Sequence, residues 1–360
     1  MTSIINQASG ENWHLWNGDC VAVTKSLPDE SVHYTIYSPP FISLYTFSDD
    51  PRDMSNCRTD GEFWQHYKFL IAEIYRVTKP GRLTSIHCMN LPTSKLRDGF
   101  IGLRDFRGDI IKAHQEVGFH FHSEVVIRKD PVSAMQRTKA IGLLHKQIKK
   151  DSAISRMAVP DYIVTMRKHG VNPEPVSGEF DAYYGDETTP DGPLESRTWD
   201  EQQQKMVPCI VHPGEPGYSV AVWQRYAEPV WMDIAQSDVL SRKEAREEQD
   251  EAHIAPLQLT PIRRCLELWS NPGDTVFSPF AGIGSEPYVS LQMGRRAIGA
   301  ELKPSYWRQA AQNCERAAAG ETIPQAPSKP VPKKVSIIAT QDRPDPFNSG
   351  DLFSLIQAAE

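Results

Sequence analysis

The chain lacks any apolar run near the ~20 residues that a bilayer-crossing helix needs, which sets a membrane-spanning class aside. It opens without a basic stretch followed by an apolar one, so no secretory leader is expected. It has no Cys-x-x-Cys pair. Its six cysteines (Cys20, Cys57, Cys88, Cys209, Cys265, Cys314) are scattered, which argues against a zinc site and a disulfide framework. No metal is expected, and a reducing cytoplasm is the expected setting. No internal repeat is visible, so nothing points to a solenoid. Nor does positive charge prevail: 39 Lys and Arg stand against 46 Asp and Glu, for a net charge of -7. That sign does not exclude a nucleic-acid binder, because only the face that meets the polymer must be basic.

What is present, over 360 residues, is alternation of strand and helix. Trp16-Asn17-Gly18-Asp19 reads as a turn before a short helix. Val32 to Tyr37 reads as a strand, and the two prolines of Ser38-Pro39-Pro40 force the chain out of the sheet. Phe63, Tyr67, Leu70, Ile71, Ile74 and Val77 fall on one helical face. Lys79-Pro80-Gly81 stops that helix and Leu83 to Cys88 resumes a strand. Ile110, Ile111, His114 and Val117 mark another helix, with Gly118 as its C-cap, and Glu124 to Ile127 a further strand. Such alternation with short connections predicts an α/β sheet.

The middle changes character. Arg128 to Lys168 holds ten Lys or Arg and three Asp, a formal +7. Val171 to Gln204 holds nine acids and one base, a formal -8, and is rich in Pro, Gly and Thr. It reads as a loop or mobile insertion. Ser241 to Glu251 reads as an exposed helix. Regular structure returns at Leu259, Ile262, Leu266 and Trp269, a helix face, followed by a turn at Asn271 to Asp274 and a strand at Thr275 to Phe277. A Gly loop, a helix to Met293 and a strand from Ala297 to Glu301 follow. Pro304 opens the last helix. The remainder, rich in Pro, Ala, Lys and Ser, is expected to be a disordered tail.

Two motifs carry chemistry. Phe277-Ser278-Pro279-Phe280-Ala281-Gly282-Ile283-Gly284-Ser285 is a strand, a Gly loop and a helix start, in which Gly282 and Gly284 let a ligand approach the backbone. Glu301, at the end of the next strand, can accept hydrogen bonds from two ribose hydroxyls. Pro287 stands at the third-glycine position, which argues against a nicotinamide dinucleotide. A plain tight turn is the competing reading. The second motif is Ser38-Pro39-Pro40-Phe41, at a strand's carboxyl end, where open α/β sheets bind ligands. Ser38 and the Pro39 carbonyl offer acceptors to one amino group, and Phe41 offers a face for a planar ring. The competing reading is a proline turn over a buried Phe.

Together, SPPF and FSPFAGIGS followed by Gly299-Ala300-Glu301 resemble the DNA amino-methyltransferases, over most of residues 13–318. The order of the motifs is similar to that of the β class, a circular permutation of the S-adenosylmethionine-dependent methyltransferase fold. Trp16-Asn17-Gly18-Asp19-Cys20 is similar to the family's adenine-contacting segment, with Asp19 as the matching acid. Arg76 to Arg82 resembles its helix stop, and Pro160 to Lys168 its last catalytic strand. His253 to Leu259, with Pro256, lies where the helix covering the methionine end begins. The resemblance implies a mixed sheet with helices on both faces. Catalytic and cofactor halves would occupy 1–170 and 251–319, a target-recognition insert 171–250, and a tail 320–360. It implies S-adenosylmethionine as cofactor, held by Asp19, Phe280, Ala281, Gly282, Gly284, Ser285, Glu301 and Pro256. It implies Ser38, Pro39, Pro40 and Phe41 as the catalytic corner. The family usually has Asp where this chain has Ser278, an acid that would hold the methionine ammonium. Glu286 and Asp274 are the acids near enough in sequence to replace it.

The implied reaction is direct methyl transfer to cytosine N4 or adenine N6 of a base flipped out of duplex DNA. No cysteine is read as sitting in a nucleophile motif, which disfavours cytosine C5 chemistry. Arg128, Lys129, Arg137, Lys139, Lys146, Lys149 and Lys150 are the expected phosphate contacts. Trp199, Trp223, Arg225, Tyr226 and Trp231 are candidates to read sequence, although burial is the expectation for the tryptophans. A homodimer would suit a palindromic site. Leu352-Phe353 in the tail is a candidate docking motif for a partner such as a replication clamp. The expected setting is the nucleoid of a bacterial or phage-infected cell, within or without a restriction system. The alternatives are methylation of RNA or a protein amide, and a non-catalytic DNA-binding relative.

Overall fold

A computed structural model describes residues 4–41, 50, 52–57, 59–93, 95–138, 141–177, 192–241 and 256–321. The chain divides into two units, Met1–Pro327 and Ser328–Glu360, and every described residue lies in the first. The tail with Leu352-Phe353, and all of the expected exposed helix beyond Ser241, lie outside the described residues. Among the described residues no helix is long and apolar enough to cross a membrane.

The first part of the chain runs β1 (Ile4–Gly10), β2 (Trp13–Gly18), α1 (Cys20–Ser26), β3 (Val32–Tyr37), α2 (Asp60–Val77) and β4 (Thr78–Met89). Short pieces β5 (Leu91–Pro92), α3 (Lys95–Asp98) and β6 (Leu103–Arg104) lead to α4 (Phe106–Val117) and β7 (His120–Ile127). Then come α5 (Pro131–Thr138) and β8 (Asp161–Arg167). An excursion follows: β9 (Leu194–Asp200), β10 (Lys205–Val211), α6 (Tyr218–Ala227) and β11 (Val230–Trp231). The last part is α7 (Leu259–Trp269), β12 (Thr275–Ser278), α8 (Ser285–Gln292), β13 (Arg296–Glu301) and α9 (Pro304–Ala318).

Nine of these strands form one mixed sheet in the order β1-β2-β13-β12-β3-β4-β8-β7-β11. The five central strands from β2 to β4 are mutually parallel. β8 is antiparallel to both β4 and β7. Strand alternation distributes the core to two faces. Tyr37, Ile86, Val164, Met166 and Phe277 pack with α1, α2 and α4, whereas Tyr34, Ile36, Ile163 and Val276 pack with α7 and α8. The α2 face is the one its periodicity predicts: Phe63, Tyr67, Leu70, Ile71, Ile74 and Val77 are buried. Gly118 caps α4 at φ 115°.

Two expectations fail. Trp16-Asn17-Gly18 is not a turn but the end of β2, and Asp19 is the N-cap of α1. The acidic stretch read as a loop ends in a strand: Leu194–Asp200 pairs antiparallel with Lys205–Val211. Charge and proline content hid it, because only every second side chain of this hairpin faces inward. Leu194 and Val211 pack there against Tyr218, Ala221 and Val222 of α6. The excursion then rejoins the main sheet through β11, parallel to β7.

Candidate active site

β12 and β3 are neighbours in register, Phe277 beside Thr35. From β3 the chain proceeds to one side of the sheet, and from β12 to the other, so the crevice between them is a topological switch point. One cavity occupies it, at the carboxyl ends of β2, β13, β12 and β3. Ser38, Pro39, Pro40 and Phe41 line it from β3; Gly18 and Asp19 from β2; Phe280, Ala281, Gly282 and Ser285 from the loop after β12; and Glu301 from β13. Pro256 lines it too.

Gly284 does not. Its φ is +89°, and a Cβ there would lie 3.0 Å from Ala310 Cα. It serves the packing of α8 on α9, not access to the cavity. Gly282, at φ +53°, has nothing within 4 Å of an added Cβ, so its backbone faces open space.

Each lining group is held from behind. The Asp19 carboxylate accepts from the Ala22 N–H at 2.8 Å and so starts α1. Glu301 accepts from the Gly282 N–H at 2.9 Å and the Lys303 N–H at 2.8 Å, which leaves lone pairs for two hydroxyls. Burial pushes its carboxyl up to about 7, against the pull of those two bonds. The Asn17 amide fixes the same strand end by donating to the Glu301 and Leu302 carbonyls, both at 2.9 Å. Phe41 meets Phe106 edge-on at 6.2 Å, and Phe280 lies 5.8 Å from Tyr37.

Behind Ser38 lies a chain of polar groups that sequence reading missed. His87, on β4, places Nδ1 at 3.2 Å from Ser38 Oγ. Its Nε2 lies 3.1 Å from Asp161 Oδ2, close but poorly aligned for a hydrogen bond. Asp161, the first residue of β8, is also paired with Lys129. Burial raises the Asp161 carboxyl, but His87 and Lys129 outweigh it and hold it below the usual range. A proton on His87 Nε2 is favoured by that carboxylate, so Nδ1 is left to accept from the Ser38 hydroxyl. The Ser38 lone pairs are then free to face the cavity. Glu286, offered by the sequence only as an acid near the loop, and Leu257, within the segment expected over the methionine end, also line the cavity; the further wall residues Arg52, Asp53, Met54, Lys303 and Tyr306 were missed. Of these, Lys303 Nζ lies 4.7 Å from the Tyr306 ring centroid. No motif announces them, since each is recognisable only once the sheet has brought its element to the cavity.

The basic candidates separate. Arg128, Lys146, Lys149 and Lys150 are exposed. Lys129 is not available for phosphate: it is committed to Asp161 and to Gln236 at 2.9 Å. Lys168, counted in the same basic span, is buried and donates to the Thr78 carbonyl at 2.7 Å. Arg137 lies on α5, and Lys139 lies outside the described residues. Among the aromatics, Trp231 is buried at 1% exposure, but Trp199 and Trp223 are exposed at 51% and 52%, against expectation.

Comparison with known proteins agrees with this geometry. A family model described as DNA methylase, of the N6/N4 methyltransferases, matches residues 32–312. The type II methyltransferase M.BglI of Bacillus subtilis is 21% identical over 318 residues, covering 83% of this chain and 84% of that protein. Among solved structures, TTHA0409 of Thermus thermophilus, complexed with S-adenosyl-L-methionine, superposes with a TM-score of 0.53. It is 21% identical, over 84% of this chain and 95% of that one. The cytosine-N4-specific PvuII DNA methyltransferase gives a TM-score of 0.53 at 15% identity, over 87% of this chain and 95% of that one. Those structures share the fold, and the family model spans most of the sequence: the chain belongs to the N6/N4 DNA methylase family.

Proposed function

We propose that this protein transfers a methyl group from S-adenosylmethionine to the exocyclic amino group of a base flipped out of duplex DNA, cytosine N4 or adenine N6. The observation that carries this reading is the meeting of Ser38-Pro39-Pro40-Phe41 with Gly282 and Glu301 in one cavity at adjacent strand ends. The family match and the M.BglI relative point to DNA as substrate.

The donor supplies an activated methyl group on a sulfonium. The chain's own task is to position the acceptor. Phe41 stacks on the flipped base. Ser38 Oγ and the Pro39 carbonyl accept from its NH2, which draws the nitrogen lone pair out of conjugation. His87 and Asp161 keep the Ser38 hydroxyl proton turned away, so that Oγ receives and does not donate. Glu301 holds the ribose hydroxyls, Asp19 and Pro256 flank the nucleoside, and Gly282 gives the ligand close access to backbone. Residues 1–170 and 251–319 act as two halves of this one machine, with 171–250 as the inserted reader of sequence. The exposed Arg128, Lys146, Lys149 and Lys150 contact phosphates. A homodimer would bring two cavities to a palindromic site, and sedimentation of the protein with and without duplex tests it.

Nucleoside mass spectrometry tests the reaction. Unmethylated genomic DNA is incubated with the protein and isotope-labelled S-adenosylmethionine, then digested. Label is expected on N4-methylcytosine or N6-methyladenine. Label on RNA or protein only, or none with cofactor bound, would sink the proposal.

A further inference from the structure

Among the described residues, one carboxylate in the cavity wall has no partner from elsewhere in the chain. Glu286 is the second residue of α8, is 4% exposed and lines the cavity. No hydrogen bond or ion pair from another described residue reaches its side chain, whereas Asp19, Asp53 and Glu301 all accept from nearby N–H or O–H donors. A buried charge without a partner is costly, and a carboxylic acid kept there is poised for a cation. Burial pushes it up to about 8, and the charge of Glu301 adds to that, against the favourable backbone at the start of α8.

The other residues that could neutralise a cation at this end are otherwise engaged or uncharged. Asp274 lies before β12, at the opposite end of that strand, and is paired with Arg82. Ser278, at the near end, has a buried hydroxyl with no partner and no charge. Glu301 spends an oxygen on each of two backbone N–H groups.

We infer that Glu286 is the residue that binds the α-ammonium group of the cofactor's methionine end. This rests on the reading of the cavity as an S-adenosylmethionine site. The ligand's ammonium supplies the positive charge that the protein withholds. Binding then ionises Glu286, and the proton it held is released to solvent.

The test uses three probes on the full chain by calorimetry: S-adenosylmethionine, S-adenosylhomocysteine, which keeps the ammonium but has no sulfonium, and 5′-methylthioadenosine, which has neither. Glu286→Gln should weaken S-adenosylhomocysteine by tenfold or more and leave methylthioadenosine within twofold. Unchanged homocysteine binding would overturn the inference, and so would a loss confined to S-adenosylmethionine, which would place the sulfonium against Glu286. An equal loss of all three probes would also overturn it, by showing a collapsed cavity. The wild-type protein offers a second measurement that needs no variant. In buffers of different ionisation enthalpy near pH 7, homocysteine binding should release close to one proton more than methylthioadenosine binding. The nucleoside probe controls for Asp19, Arg52, Asp53, Glu301 and Lys303, which line the same cavity. No excess proton release would count against the assignment. Failure of the wild type to bind any of the probes would instead overturn the cofactor reading itself.

Discussion

At the scale of single residues, the proposed chemistry depends on which way one hydroxyl points. Ser38 Oγ must accept from the substrate, and His87 is the group that takes its proton out of the way. His87→Gln should lower kcat by ten- to a hundredfold while the Kd for S-adenosylhomocysteine stays within twofold. Asp161→Asn should act in the same direction, because a neutral amide no longer favours the proton on Nε2. Equal losses in kcat and in cofactor affinity would mean that both substitutions merely disturb the fold. Ser38 was legible in the sequence because prolines mark the strand end beside it. His87 was not. It sits inside a run that reads as a buried strand, and its partners Ser38 and Asp161 lie on two other strands. Glu286 was visible only as an acid near the loop. Its lack of a partner among the other described residues is a property of the folded neighbourhood.

At the scale of elements, the two parts of the chain are joined by buried charge as well as by sheet. Arg82 on β4 is 2% exposed. It pairs with Asp274, donates to the His33 carbonyl at 3.0 Å and to the Glu174 carbonyl at 3.1 Å. Asp274 also accepts from the Asn271 N–H at 2.8 Å, which sets the turn into β12. Arg82→Ala would strand a buried carboxylate and should cost about 3–5 kcal/mol in urea unfolding. Arg82→Leu combined with Asp274→Asn should recover part of that loss. A cost below about 1 kcal/mol for the single variant would show that the pair is not sealed from water. Elements with strong periodicity were readable in advance: α2, α7 and the strands around both motifs fall where their apolar spacing places them. The hairpin of β9 and β10 was not, since its acidic, proline-containing strands bury only the side facing α6. Trp199 and Trp223 remain outside in that module.

At the scale of the whole molecule, charge acts through pH and salt. His114 is fully buried and neutral, its pKa lowered to about 4 by burial, so the unfolded chain takes up its proton first. Stability from this group is complete above pH 6.5 and is lost as pH falls toward 4. Glu286 and Glu301 work in the opposite sense. Their carboxyls are raised in the fold, so the folded chain holds protons that the unfolded chain has already released, and stability falls as pH rises from 4.5 through 8. Urea melts of the ligand-free protein should therefore decline from pH 6.5 to 8, by at most ~1.4 kcal/mol per pH unit for each group. Glu286→Gln should flatten the part between pH 7 and 8, where Glu301 has largely ionised. An unchanged decline would assign it elsewhere. Salt tests the basic face. Replacing Lys146, Lys149 and Lys150 together by Gln should reduce the slope of log K against log salt for duplex binding by roughly 0.9 per lost contact. An unaltered slope would place the duplex on another face. The net charge of -7 does not report that face, which shows in the sequence as the local excess of Lys and Arg from Arg128 to Lys168.

The pairing of β3 with β12 has a consequence for biosynthesis. Thr35 leaves the ribosome about 240 residues before its register partner Phe277. Until then the β3 side that β12 will cover is an open sheet edge, apolar and with unpaired backbone groups, the kind of template on which nascent chains stick to one another. The same delay keeps Ser38 to Phe41 apart from Glu301 while the chain is still being made. A truncated product would be prone to aggregation, and it could not bring the two motifs together to modify a genome.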